Sequence, residues 1–164
     1  MSLFSSKQSF RVIMVLAFIA GGILIFGVIL RRAISDEQQI RNTINLLADS
    51  AEDHNLRKIT GFMHDDFRAE EFTYDRQTCI DLMRQTFFTY KVIRVKLRDV
   101  SVKIVDDTTA EALFVANVTV SQTPDAPGDD LTRYRNDDRF RLTFKKVDGK
   151  WLVFRSAVAQ STAD

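Results

Sequence analysis

His64, Asp65 and Asp66 are consecutive, and the pattern before them predicts that they close a short helix. A carboxylate half-buried at such a point would have a raised pKa and could abstract a proton. The same three residues also read as a solvated helix terminus, with His64 on the surface or lining a pocket. His64, Asp65, Tyr74 and Tyr90 therefore form the candidate pocket set, beside an interior of aromatics such as Phe62, Phe67, Phe87 and Phe114. No residue is assigned a catalytic role. No metal site or cofactor is expected either, because His54 and His64 stand ten apart, with no helical i, i+4 pair and no cysteine ligands. The single cysteine, Cys79, has Ile80 and Leu82 as neighbours and reads as a small helical hydrophobe rather than a reactive thiol.

The elements that must position these groups follow from periodicity. Ser35 and Gln38 form a capping-box pattern, and Ile40, Ile44, Leu47, Ala48 and Ala51 then recur at helical spacing. A second helix is predicted with Asp53 as its N-cap and with Leu56, Ile59, Phe62, Met63 and Phe67 on one face. A third follows Asp75 and buries Ile80, Met83 and Phe87. From Tyr90 the period becomes two. Ile93, Val95 and Leu97 share one face, and the apolar parity then flips to Val100, Val102 and Ile104, which places a bulge near Arg98-Asp99. Ala110 to Ser121 is a strand whose centre reads as buried on both sides. Gln122 to Leu131 holds both prolines and reads as an exposed loop. Arg133 to Val147 and Lys150 to Val158 are strands joined by the hairpin signal Asp148-Gly149.

The N-terminal part has another character. Nineteen uncharged residues, Val12 to Leu30, lie between Arg11 and Arg31-Arg32 and are long enough for a hydrocarbon core of roughly 30 Å. They exceed a signal-peptide core of about 7–15 residues and lack a small-residue cleavage site, so an uncleaved anchor is expected. The resulting division is an N-terminal tail 1–11, a transmembrane anchor 12–32, a globular domain 33–160 and a C-terminal tail 161–164. Ala17, Gly21, Gly22 and Gly27 offer small surfaces for helix packing in the membrane. Positive charges flank both ends of the run, so the lean toward an extracytoplasmic domain rests on the usual design of such chains.

All 22 acidic residues follow the anchor, with 19 of the 23 Lys and Arg, so the domain carries a net charge near −3. That argues against nucleic acid as a partner. The basic alternations Arg94-Lys96-Arg98, Arg133-Arg135 and Arg139-Arg141 read two ways. They form a positive sheet face for lipid headgroups or an acidic partner, or a solvated face paired with Glu111, Asp137 or Asp138.

Helices leading into ITGFMHDDF, a third helix, a bent strand and the closing FRLTFKKVDGKWLVFRSAV resemble the nuclear transport factor 2-like superfamily. The resemblance covers roughly Ser35 to Ala159. It implies an α+β cone, with three helices packed on a curved antiparallel sheet. The superfamily includes isomerases, hydrolases, binding domains and assembly subunits, so the fold does not fix the function. Ketosteroid isomerases pair an Asp base with an oxyanion hole of Tyr and protonated Asp; here the first two helices contain no tyrosine and Leu113 to Val120 offers no acid. No Asp-Arg-Asp set of the limonene epoxide hydrolase type can be assigned to one pocket. The leading expectation is thus a non-catalytic single-pass subunit of a membrane complex, with membrane lipid and protein partners and homo-oligomers among its contacts. The layout is similar to an inner-membrane assembly subunit of type IV secretion systems. The alternative is a membrane-tethered small-molecule-binding domain, or an isomerase-like or hydrolase-like enzyme, that uses the cone.

Overall fold

The computed structural model describes residues 35–124 and 132–159, with side chains at 36–124 and 138–159. The expected tails, the anchor with Ala17, Gly21, Gly22 and Gly27, and most of the 122–131 loop lie outside the described residues, as do the side chains of Ser35, Arg133, Arg135 and Asp137. The chain divides after Asp36 into two units, and the elements below belong to the second save for the first two residues of α1. Among the described residues, no helix is long and apolar enough to cross a membrane.

Helix α1 (Ser35–Glu52) buries Ile40 and Ile44 and lays Leu47 and Ala51 against the same core, as its periodicity predicts. The second helix departs from expectation. Asn55, not Asp53, caps α2 (Leu56–Gly61), its side chain accepting the Lys58 N–H at 3.0 Å, and the helix is only six residues long. Met63–Ala69 is instead a strand, β1. Met63 and Phe67 are both buried, and residues four apart share a face in a strand as well as in a helix, so their spacing alone does not separate the two. What selects the strand is a distant partner: β1 runs parallel to the last strand, with Met63 opposite Val153.

A 3-10 turn (Glu70–Phe72) and the short β2 (Tyr74–Asp75) lead into α3 (Arg76–Thr89), where Asp75 accepts the Thr78 N–H at 2.8 Å, the expected cap. Ile80 is buried, and Met83 and Phe87 pack on the core beside it. Strands β3 (Val92–Ile104), β4 (Thr109–Ser121), β5 (Thr132–Val147) and β6 (Lys150–Ala159) complete a six-stranded sheet of order β2-β1-β6-β5-β4-β3. Because β1 and β6 are parallel, the sheet is mixed rather than wholly antiparallel. The bulge is where the parity flip puts it: the β3–β4 register shifts between Arg98 and Ser101, and Asp99 has φ 54°. Asp148 (φ 49°) and Gly149 (φ 78°) make the β5–β6 hairpin with two consecutive left-handed residues, the arrangement that matches strand twist. The inner face of β4 is buried through Ala110, Ala112, Phe114 and Ala116. Its outer face is not: Leu113 is exposed and Val115 half-buried, which corrects the expectation of burial on both sides.

Strand β3 is a sheet edge, and α1 covers it with two polar side chains. Arg41 donates to the Val100 carbonyl at 2.6 Å, and the Glu52 carboxylate accepts the Val95 N–H at 2.7 Å. These contacts lie eleven residue steps apart on the helix and five apart on the strand. At 1.5 Å and 3.3 Å rise, both lengths are about 16 Å, so α1 lies antiparallel to β3 with the two spacings matched. An acid in the last turn of a helix opposes the helix dipole, so Glu52 is placed for the strand and not for its own helix. Glu52→Ala leaves the Val95 N–H without its acceptor; we expect a loss of about 1–2 kcal/mol in urea unfolding, with Glu52→Gln losing less.

Asp75 supplies a pH test. Hydrogen bonds from the Thr78 backbone and side chain hold its carboxyl below the ordinary carboxylate range. A depressed folded pKa adds stability above the unfolded value, and that stability disappears as pH falls through the folded one. The stability difference between wild type and Asp75→Ala is therefore expected to be full at neutral pH and to shrink on acidification below pH about 4, measured by denaturant titration at a series of pH values.

Candidate functional site

The described part of the cone interior contains a cavity of about 220 Å³. Helix α1 provides one wall with Ile44, Leu47, Ala48 and Ala51. The sheet provides the other, with Val95 and Leu97 of β3, Phe114, Ala116 and Val118 of β4, and Phe140 and Leu142 of β5. Phe114 and Phe140 stack with centroids 5.8 Å apart at 22°. The void exists because three positions facing it, Ala48, Ala51 and Ala116, end at Cβ. Larger residues there would close it. Leu47, Ala48, Ala51 and Val118 are only half-buried, so the cavity opens to solvent along α1.

Among the described residues every side chain lining the cavity is apolar, although Asp138 registers with the lining residue Ala116 and so shares the inner face. A ten-carbon ligand is the size such a space takes, since a hydrocarbon-lined cavity of about 150 Å³ admits benzene. The described lining selects a ligand by shape.

The candidate residues lie elsewhere. His64 sits on β1, not at a helix end. Its Nδ1 accepts the Asp66 N–H at 3.0 Å, and its ring meets the edge of Phe154 at 5.3 Å. Phe154 faces away from the core, with Lys145 Nζ 3.8 Å from its ring, so His64 belongs to the outer face of the sheet. Asp65 is exposed on the same strand. Tyr74 is exposed on β2 and stacks on Phe72 at 5.4 Å. Tyr90 ends α3, and its carbonyl lies 2.9 Å from His54 Nε2. None of the four lines the cavity. Of the expected aromatic interior, Phe114 does, Phe67 is core, and Phe87 stands 5.0 Å from His54. Phe62 lines a second concavity of about 400 Å³ between α1, α2 and the β5–β6 turn, where Gln39, Asn42 and Lys150 mix with Trp151. Within its wall Thr43 donates to the Gln39 backbone carbonyl, and Asn42 accepts from Gln38. Phe140 and the three alanines are the residues that sequence reasoning missed. Ala48, Ala51 and Ala116 carry a signal, small residues on predicted apolar faces, but only the packing shows that they line one cavity.

No protein-family model and no curated protein sequence matches this chain. Solved structures do match it in fold. A proposed scytalone dehydratase from Novosphingobium aromaticivorans superposes with TM-score 0.65 at 14% identity, over 81% of this chain and 89% of that one. A nuclear transport factor 2-like protein with a cystatin-like fold from the same organism gives 0.61 at 18% identity, over 84% and 90%. A proposed dehydratase of the nuclear transport factor 2-like family from Streptomyces avermitilis gives 0.56 at 12%, over 78% and 99%. The domain thus has the α+β nuclear transport factor 2-like fold that its sequence resembles.

Cys79 lies on α3, half-buried, and burial followed by the nearby charge of Asp75 pushes its thiol pKa up. Reaction needs the thiolate. Iodoacetamide at neutral pH is expected to label the native chain slowly and to label it many times faster in denaturing urea; equal rates would mark a reactive thiol.

Proposed function

We propose that the domain binds a small hydrocarbon-rich molecule between α1 and the inner face of the sheet, and that residues 12–30 hold it at a membrane. The observation that carries the binding reading is a cavity bounded by apolar side chains on three strands and one helix. Binding rather than reaction is favoured because His64 and Asp65, the strongest acid–base pair in the sequence, lie outside that cavity. The membrane part rests on the sequence of the apolar run alone.

Proteins of the same fold described as proposed dehydratases act as precedents for use of the cone on small molecules, at the level of fold only. They lend the pocket reading more support than the accessory-subunit reading, which rests on missing chemistry and on the glycines of the anchor. An isomerase-like or hydrolase-like reaction would need a polar group at the cavity, and Asp138, in register with Ala116, is a described acid on that face.

The test is a thermal-shift titration of the full chain in lipid nanodiscs with naphthalene as the probe, using Ala51→Phe as the filled-cavity control. Membrane partitioning is the same for both proteins, so the difference between them reports the cavity. At ten times Kd, binding contributes about 1.4 kcal/mol, or roughly 5 °C for a domain of this size. That shift is expected in the wild type and lost in Ala51→Phe. Equal shifts in both, or none in either, would refute the reading.

A further inference from the structure

The strands that line the cavity present a different chemistry on their other side. Residues alternate across a sheet, so the inner positions Ala110, Ala112, Phe114 and Ala116 fix which side chains face outward. Across β3, β4 and β5 the outward row Arg98–Val115–Arg139 is followed by Ser101–Leu113–Arg141 and then by Lys103–Glu111–Thr143, with Arg155 beside Thr143 on β6. Lys96, opposite Asn117, extends the set. Exposure is consistent: Lys96, Arg98, Lys103, Arg139, Arg141 and Arg155 are all exposed.

Among the described side chains, some of these cations are already paired, and Arg98 also has a partner. Glu111 lies opposite Lys103, Glu70 binds Arg155 at 2.7 Å, Glu52 meets Arg94 at 3.5 Å, and Asp99 projects at the bulge. Asp138, one of the acids expected to pair there, registers with the buried Ala116 and so belongs to the inner side. The domain is acidic in sum, yet six of its 19 Lys and Arg share one side of the sheet. Between them are Leu113, Val115 and Ala157, short apolar side chains that make a broad contact surface.

We propose that this outer face docks on a membrane rich in anionic lipid. The assignment rests on the membrane reading above in one respect. Only five peptide steps lead from Leu30 to Ser35, on the order of 18 Å at full stretch, and α1 is bonded to edge strand β3 through Arg41 and Val100. A chain anchored by residues 12–30 is therefore tethered closely enough for the domain to meet headgroups, and this face is the one whose charge suits them. A second copy is disfavoured as the occupant, because self-pairing would bring like charges together. An acidic protein would satisfy the charge but does not follow from the tether. Each basic side chain near an anionic surface adds attraction worth roughly a fivefold change in the docked population.

The experiment uses the full chain with Ser101→Cys in a Cys79→Ser background, labelled with a fluorophore and placed in nanodiscs containing a headgroup-quencher lipid. Discs of phosphatidylcholine alone are compared with discs rich in phosphatidylglycerol. Quenching is expected to be at least roughly fivefold greater in the anionic discs and to fall in high salt. It is expected to vanish in Arg139→Glu with Arg141→Glu and to weaken less in the Arg→Gln pair. A label on the exposed side of α1, Asn45→Cys, should stay unquenched, and the circular dichroism of each variant checks its fold. Equal quenching in the two lipids overturns the proposal. So does absence of quenching in the anionic discs, including the case where the same face binds polyglutamate instead. A chain that fails to enter the discs refutes the anchor separately. The same labelled chain is then mixed with vesicles of the two lipids: salt-sensitive binding to the anionic ones alone supports the face, and no binding overturns it.

Discussion

The paired grip of α1 on the edge of β3 sets the rest of the domain. A helix laid over a twisted sheet by apolar contact alone can slide by a turn at small cost, since one leucine replaces another. Arg41 on the Val100 carbonyl and Glu52 on the Val95 N–H remove that freedom, because each leaves a strand group without its partner if the helix shifts. The same bonds manage an exposed sheet edge, which would otherwise template pairing with another chain. Once the helix is registered, Ala48 and Ala51 line the same space as Ala116, and their short side chains leave room for the cavity.

From this follows a division of labour between the two sides of one sheet. Alternate residues along β3, β4 and β5 point either into an apolar cavity or onto a basic outer face, so each strand serves two surfaces at once. The bulge at Arg98–Ser101 keeps this possible. Without it the strand's second half would turn Val100 and Val102 outward and Ser101 and Lys103 inward, reversing both surfaces. His64 shows the cost of reading chemistry from adjacency: Asp66 Oδ2 lies 3.9 Å from its Nδ1, but the ring packs on Phe154 and accepts a backbone N–H on the outer side of the sheet, away from the cavity.

Local pattern carried much of the architecture. The α1 and α3 faces, the Asp75 cap, the β3 bulge and the Asp148-Gly149 turn are each decided by interactions within a few residues, and all were legible. The strand β1 was not, because its identity depends on pairing with β6 some ninety residues later, and Met63 and Phe67 fit either period. The mixed character of the sheet was hidden for the same reason. The cavity was partly legible: Phe114 pointed to it, whereas its existence depends on where small residues fall opposite one another, which is a property of packing and not of sequence spacing.

The central claim is that the space between α1 and the inner sheet face accepts an apolar guest. Intermolecular nuclear Overhauser effects from methyl-labelled protein to naphthalene test it most directly. The account predicts contacts from the methyls of Ile44, Leu47, Val95, Leu97 and Leu142 together, with none from the outward-facing Leu113 and Val115. Contacts confined to outer-face methyls, or no contacts at a concentration that saturates the space, would contradict it.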